Sequence, residues 1–301
     1  MSGEPGWREY ATERNTMSII VTAASGQLGR LAVEALLARG AAPESIVATS
    51  RDVSKLSAFA DRGVRTAVLD YTDPDTIAAV VQADDVVVLI SSDAVGQRLD
   101  QHKAVIDAAS TAGAARVIYT SAPKATTSTL ILAPEHKATE EHLAASSVPA
   151  TVLRNGWYTE NYAGEVATAR ESGVVSASVG DGRVASASRA DYAEAIAVAA
   201  LDESTSGQVY ELSGDHAWDW NELAEAVSSI TGTPVVYEPL TPEQHAERLT
   251  GFGLDEGTVG FVVALDGNIR DGLLAETSGD LSRLIGRPTT PLAEGLAAAQ
   301  G

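Results

Sequence analysis

The sequence predicts an α/β fold, a doubly wound parallel sheet with a smaller, mainly helical C-terminal lobe. Two observations carry this. Short β-branched runs alternate with segments of helical period from residue 18 to about residue 155, the order that builds parallel βαβ units. The run at 85–90 (DVVVLI) is continuously apolar rather than alternating, as expected of a central strand covered by helices on both faces.

Taken in order, residues 18–22 (SIIVT) form the first strand, and after a glycine-containing turn Leu28, Ala32, Val33, Leu36 and Leu37 recur at helical spacing. Residues 45–49 and 64–69 read as the second and third strands. Asp73-Pro74 then opens a helix with an N-cap followed by proline at the first position. After the strand at 85–90, a helix over about 97–112 leads to strands at 116–120 and 151–154. Beyond Asn155 the alternation weakens. Strand-like pieces at 174–179 and 208–212 interleave with helices at 189–201 and 218–230, and about the last 50 residues are mainly helical. The expected division is a flexible extension at 1–17, a sheet-forming body at 18–155, and a capping lobe at 156–301 that returns in part to the main sheet.

Composition narrows the function. The 301 residues include no cysteine, which removes thiolate nucleophiles, CxxC redox pairs and cysteine-based metal sites together. With 21 basic and 41 acidic residues the net charge is −20, so a nucleic-acid backbone would be repelled over most of the surface. No apolar stretch approaches the roughly 20 residues of a membrane helix, and residues 1–17 lack the apolar core of a secretory signal. The default reading is a cytoplasmic protein with no membrane partner.

The segment at 22–30 (TAASGQLGR) sits between the first strand and the first helix, where a parallel sheet leaves helix N-terminal amides free to hold a pyrophosphate. Thr22, Ser25, Gly26, Gln27, Leu28 and Gly29 are the candidate contacts, which makes the 18–155 body a Rossmann-type dinucleotide domain. The first position of the glycine pattern is Ala23, which fits if its φ stays negative. At the end of the second strand the sequence reads Thr49-Ser50-Arg51, with no carboxylate at 47–51 to bind ribose hydroxyls. A guanidinium there suits a 2′-phosphate, so NADPH is favoured over NADH as cofactor, with Lys55 adding positive potential. Asp52 beside Arg51 argues the other way. Asp70, Tyr71, Ser91 and Ser92, at the carboxyl ends of the third and fourth strands, are further cofactor candidates.

Familiar catalytic signatures are missing. No tyrosine has lysine four residues later: Tyr119 is followed there by Pro123, Tyr158 by Tyr162 and Tyr192 by Ile196. GxSxG and HExxH are absent, and no metal site is expected.

Several blocks together resemble a known family. They are the 22–30 loop, SR at 50–51, LDYTD at 69–73, LISSDAVGQR at 89–98, YTS at 119–121, RNGWYTENY at 154–162, GDGRVASASRADYA at 180–193, GDHAW at 214–218 and LIGRPTTPLAE at 284–294. The chain resembles the NADPH:quinone oxidoreductase type 2 group of the NmrA-like atypical short-chain dehydrogenases. The NGWY block separates that group from the similar triphenylmethane-dye reductases. The resemblance implies flavin-free hydride transfer from NADPH to a small quinone. It would place Ser121, Asn155 and Tyr158 near nicotinamide and substrate, with Trp157 and Tyr158 walling the substrate. His136 and Glu140, at i and i+4 on a helix, would orient substrate or ribose, or else form an ordinary surface pair. Reduction of triphenylmethane or azo dyes, and NADP(H) sensing without catalysis, remain alternatives, and the oligomeric state stays open, a homodimer included.

Overall fold

The computed structural model describes residues 17–300, so the extension at 1–16 lies outside the described residues. Nine strands are present among the described residues: β1 (Ile19–Val21), β2 (Ile46–Ser50), β3 (Arg65–Val68), β4 (Val86–Leu89), β5 (Arg116–Ser121), β6 (Ala150–Asn155), β7 (Val174–Ala177), β8 (Val209–Leu212) and β9 (Val236–Pro239). Seven make one parallel sheet in the order β3-β2-β1-β4-β5-β6-β8. The order reverses between β1 and β4. The connections on either side of that point step outward across the sheet in opposite directions, which leaves a crevice outside the carboxyl ends of the strands.

The central strands β1, β2, β4 and β5 are buried along their whole length, and β1 (IIV) and β4 (VVVL) are accordingly unbroken apolar runs. One face is covered by the helix Gln27–Ala38, whose stripe Leu28, Gly29, Ala32, Val33 and Leu36 is buried. Against it packs the helix Arg189–Leu201, in which Ala193, Ala195, Ala197, Ala199 and Ala200 are all buried, so small residues let the two helices approach closely. This helix and β8 follow the residue-155 boundary in sequence yet pack on the main sheet. The helices Arg98–Ala112 and Ala133–Ala145 cover the other face through Val105, Ile106, Ala109 and Leu143.

The lobe is built on a two-stranded parallel sheet, β7 with β9. Its core combines Val175, Val179, Leu223, Val227 and Ile269 with the indoles of Trp218 and Trp220, which meet at a tilt of 48°. The helix expected from residue 218 starts at Trp220. Asp219 caps it by accepting from the amides of Asn221 and Glu222, while Glu222 returns a carboxylate to the Asp219 amide. Trp218 instead joins an antiparallel bridge with Val184. Strand β9 was not anticipated, because VYEP is short, mostly exposed and ends in proline, and so carries no alternation to read. Among the described residues no helix is long and apolar enough to cross a membrane.

Candidate functional site

A cavity of about 600 Å3 runs along the carboxyl ends of the main sheet, from the β2 and β3 ends to the β5 and β6 ends. Its middle is the β1 loop. Gly26 is the N-cap of the first helix with φ −78° and no side-chain cap, and no acidic residue stands in the first turn. The first hydrogen bond closing the helix runs from the Arg30 amide to the Gly26 carbonyl. The amides of Gln27, Leu28 and Gly29 are therefore the unpaired donors of a helix start, opening on the cavity with the positive end of the dipole behind them. Gly29 is required by contact, since a Cβ there would lie 2.3 Å from the Ala23 carbonyl oxygen.

Two expectations for this loop are corrected. Ala23 has φ +49°, in the left-handed region, so the alanine fits only at a conformational cost. Ala23→Gly should accordingly raise stability by about 1 kcal/mol, read as a higher denaturant midpoint; an unchanged or lower midpoint would count against strain at this residue. Thr22 does not reach the cavity. Its hydroxyl donates to the Val88 carbonyl (2.9 Å) and accepts from the Ile90 amide (3.0 Å), tying β1 to β4 inside the sheet. The Tyr71 hydroxyl closes on the same oxygen at 2.5 Å, leaving the half-buried Tyr71 ring as a cavity wall.

At the β2 end, Ser25 and Ser50 are joined through their hydroxyls at 2.8 Å, pinning the loop to the strand. Arg51 is exposed on the cavity wall, and no described residue forms a hydrogen bond or ion pair with it. Asp70 lines the wall nearby. The Thr72 amide and hydroxyl, at 2.8 Å each, hold its carboxyl below the usual carboxylate range, with the Arg51 charge adding to the effect. Asp52 is turned into a local cap, accepting from the Ser54 amide and hydroxyl. Lys55 is exposed on the Val53–Leu56 turn, outside the cavity lining. Ser91 and Ser92 line the middle, the Ser91 amide held by the Thr120 hydroxyl and the Ser92 amide by His102 Nε2.

Ser121, Asn155, Trp157, Tyr158 and His136 come together at the far end. Ser121 donates its hydroxyl to Glu140 at 2.5 Å, and Arg154 clamps both Glu140 oxygens at 3.0 and 2.6 Å. The Ser121 proton is thus committed, and the oxygen facing the cavity is an acceptor. Glu140 is buried, which rules out a surface pair with His136. His136 is no proton donor either. Arg98 donates to its Nε2, so the remaining proton sits on Nδ1 and points at the Tyr119 hydroxyl, 2.8 Å away. Burial, with the Arg98 charge, pushes its pKa down to about 3, so it is neutral at physiological pH. His102 is likewise held at about 3, mainly by burial.

Asn155 ends β6 with its side chain buried, and its Oδ1 has no hydrogen-bond partner. Its Nδ2 lies 3.5 Å from the Tyr158 hydroxyl. The Tyr158 ring packs edge-on against Tyr192 and under the Arg189 guanidinium, 4.6 Å from the ring centre. Burial pushes the Tyr158 phenol above its ordinary value, so the hydroxyl keeps its proton and serves as a donor. Arg98, which sequence reasoning did not single out, is a buried guanidinium on the cavity wall that holds the Ser92 carbonyl at 2.6 Å as well as His136. Only its place in the 89–98 block hinted at this.

The family model for NAD(P)H-binding proteins matches residues 23–203, the segment that supplies the phosphate-side loop and the strand ends of the cavity. The chain belongs to this NAD(P)H-binding family. Within it the chain stands in the quinone oxidoreductase type 2 group, as its sequence blocks suggest. It is 42% identical over 276 residues to Quinone oxidoreductase 2 of Escherichia coli, covering 92% of this chain and 96% of that protein. The solved structure of the Escherichia coli NADPH-dependent quinone oxidoreductase in complex with NADPH is 41% identical, with a TM-score of 0.88 over 94% of this chain and all of that one. The triphenylmethane reductase of Citrobacter, solved with NADP(H), is 33% identical with the same TM-score and coverage. The residues present fit the cofactor of an NAD(P)H-binding protein. The helix start offers free amides, a Cβ at Gly29 would fill the turn, and the orphaned Asn155 Oδ1 awaits a donor such as a carboxamide.

Proposed function

We propose that this protein reduces a small quinone with NADPH and without flavin: quinone, NADPH and one proton give hydroquinone and NADP+. When bound, the cofactor supplies the hydride, and with it both electrons. The observation that carries the reading is the Asn155–Tyr158 pair, a neutral donor set beside an aromatic wall with no proton-relaying lysine. The amides of Gln27, Leu28 and Gly29 take the pyrophosphate, and Arg51 takes the 2′-phosphate. Ser121 and Asn155 Oδ1 act as acceptors for the carboxamide and fix which ring face meets the acceptor. Tyr158 donates to the quinone oxygen on which negative charge grows. Because its phenol is shifted upward, it holds that bond without losing its proton. The hydroquinone anion left by hydride transfer is about as basic as a phenolate, so its oxygen takes the proton from water near neutral pH. Burial, helped by the Arg98 charge, keeps His136 neutral, and Arg98 holds the Ser92 turn in place. As a consumer of NADPH, the enzyme works in the cytoplasm, where that cofactor is produced.

The likeness to the Citrobacter triphenylmethane reductase supports a conjugated dye as the second acceptor class. NADPH oxidation against a panel of quinones and triphenylmethane dyes tests both. Turnover with quinones favours the first reading, turnover with dyes alone the second, and tight NADPH binding without turnover leaves a sensor. Tyr158→Phe should lower kcat for quinone about 10- to 150-fold, the worth of one hydrogen bond to a charged oxygen, while the NADPH Kd measured by calorimetry stays unchanged. An unaltered kcat would remove Tyr158 from the reaction.

A further inference from the structure

A second cavity, of about 240 Å3, lies beside the acceptor end of the main one. It is enclosed by the chain leaving β5, β6 and β8 and by the segment at 272–278. Pro123 and Gly156 line both cavities, so the two adjoin at the strand ends that carry Ser121 and Asn155 and lie far from Arg51. Its inner wall is apolar, formed by Pro123, Ala185, Leu212, Leu273 and Leu274.

Glu211, Ser213 and Ser278, the polar side chains beside that wall, are already paired. Ser213 Oγ accepts from the Ser278 amide at 3.1 Å, and the Ser278 hydroxyl donates to the Glu211 carbonyl. The Glu211 carboxylate accepts from Arg154 at 2.8 Å and from the Lys124 amide at 3.0 Å. Thr127, Ser128 and Thr129 add hydroxyls on the loop side, while the apolar inner wall gains by covering hydrocarbon. At the rim, the half-exposed Lys124 and Glu276 side chains form an ion pair across the opening.

We propose that this second cavity is a subsite for an apolar side chain, alkyl or prenyl, carried by the quinone. The inference rests on the quinone reading above and extends it. The ring lies at the Asn155–Tyr158 end of the main cavity, and its side chain passes the Pro123–Gly156 junction to leave water along Leu212, Leu273 and Leu274. The substrate class is therefore a side-chain-bearing quinone, with the bare ring as its minimal form.

The test uses the full-length protein with NADPH and a series of 1,4-benzoquinones carrying alkyl chains of increasing length. The expected result is a kcat/KM that rises about two- to fourfold per methylene and then levels as the cavity fills, the gain expected when each methylene leaves water. Two variants separate this from nonspecific greasiness. Thr127→Trp, on an exposed loop position of the cavity wall, and Leu273→Trp, half-buried, each place an indole in the space. Each should flatten the chain-length dependence, reducing the ratio of kcat/KM between the longest and the bare quinone by about tenfold or more, with the NADPH Kd as a check on folding. Turnover of the bare quinone with no chain-length dependence in the wild type, or a dependence that both variants preserve, overturns the subsite while leaving quinone reduction standing. Absence of turnover with every quinone overturns the function itself.

Discussion

Gly26→Val should abolish NADPH binding, weakening it by at least about 100-fold, while the protein remains folded. Gly26 is exposed at the helix start, and its φ of −78° is open to any residue. A Cβ there meets only the Ala23 carbonyl oxygen, at 3.2 Å, a contact that a shift of a few tenths of an ångström relieves. The branched methyls, however, would stand where a pyrophosphate must approach the amides of Gln27 and Leu28. Losing two hydrogen bonds to a charged group, at about 1.5–3 kcal/mol each, accounts for the expected factor. Gly29→Ala should behave differently. Its Cβ would lie 2.3 Å from the Ala23 carbonyl oxygen and 2.8 Å from the Ala24 Cα, all backbone, so the helix and the loop must separate. That variant should lose about 1–3 kcal/mol of stability together with its cofactor. Calorimetric titration with NADPH, paired with a thermal melt, distinguishes the two outcomes. Undiminished affinity in Gly26→Val would mean that the pyrophosphate lies elsewhere.

The main sheet was legible because its signals are local and strong. The buried strands β1 and β4 are apolar runs, and the helix expected at 189–201 starts where it does because Ser188 and Asp191 form a capping box there. What sequence did not yield depends on where distant segments meet. Glu140 looked like a helical neighbour of His136. In the fold both side chains turn inward, Glu140 to Arg154 on β6 and His136 to Arg98 across a separation of 38 residues. Thr22 was read as a cofactor contact from its place in the loop, but it precedes the turn, and its hydroxyl bonds to β4. The positive φ of Ala23 is equally invisible in sequence, since an alanine in a glycine position does not say whether the backbone or the residue has yielded.

Arg51→Ala should raise the KM for NADPH about 10- to 150-fold and leave that for NADH nearly unchanged, because a charge-assisted contact of about 1.5–3 kcal/mol is available only to the cofactor with a 2′-phosphate. The geometry leaves the guanidinium free for it. No described residue pairs with Arg51, the Asp70 carboxylate is taken up by Thr72, and Asp52 is occupied in capping Ser54. The acidic neighbour that cast doubt on NADPH preference in the sequence is therefore already engaged, and a bound phosphate would meet the guanidinium rather than a free carboxylate. Salt gives an independent check. Arg51 is exposed, so raising ionic strength should weaken NADPH binding in the wild type far more than NADH binding, and the difference should vanish in Arg51→Ala. Steady-state kinetics with both cofactors at two salt concentrations reads all of this. Equal losses for NADPH and NADH would show that Arg51 braces the loop at the β2 end, and cofactor preference would then have to come from another residue of the cavity.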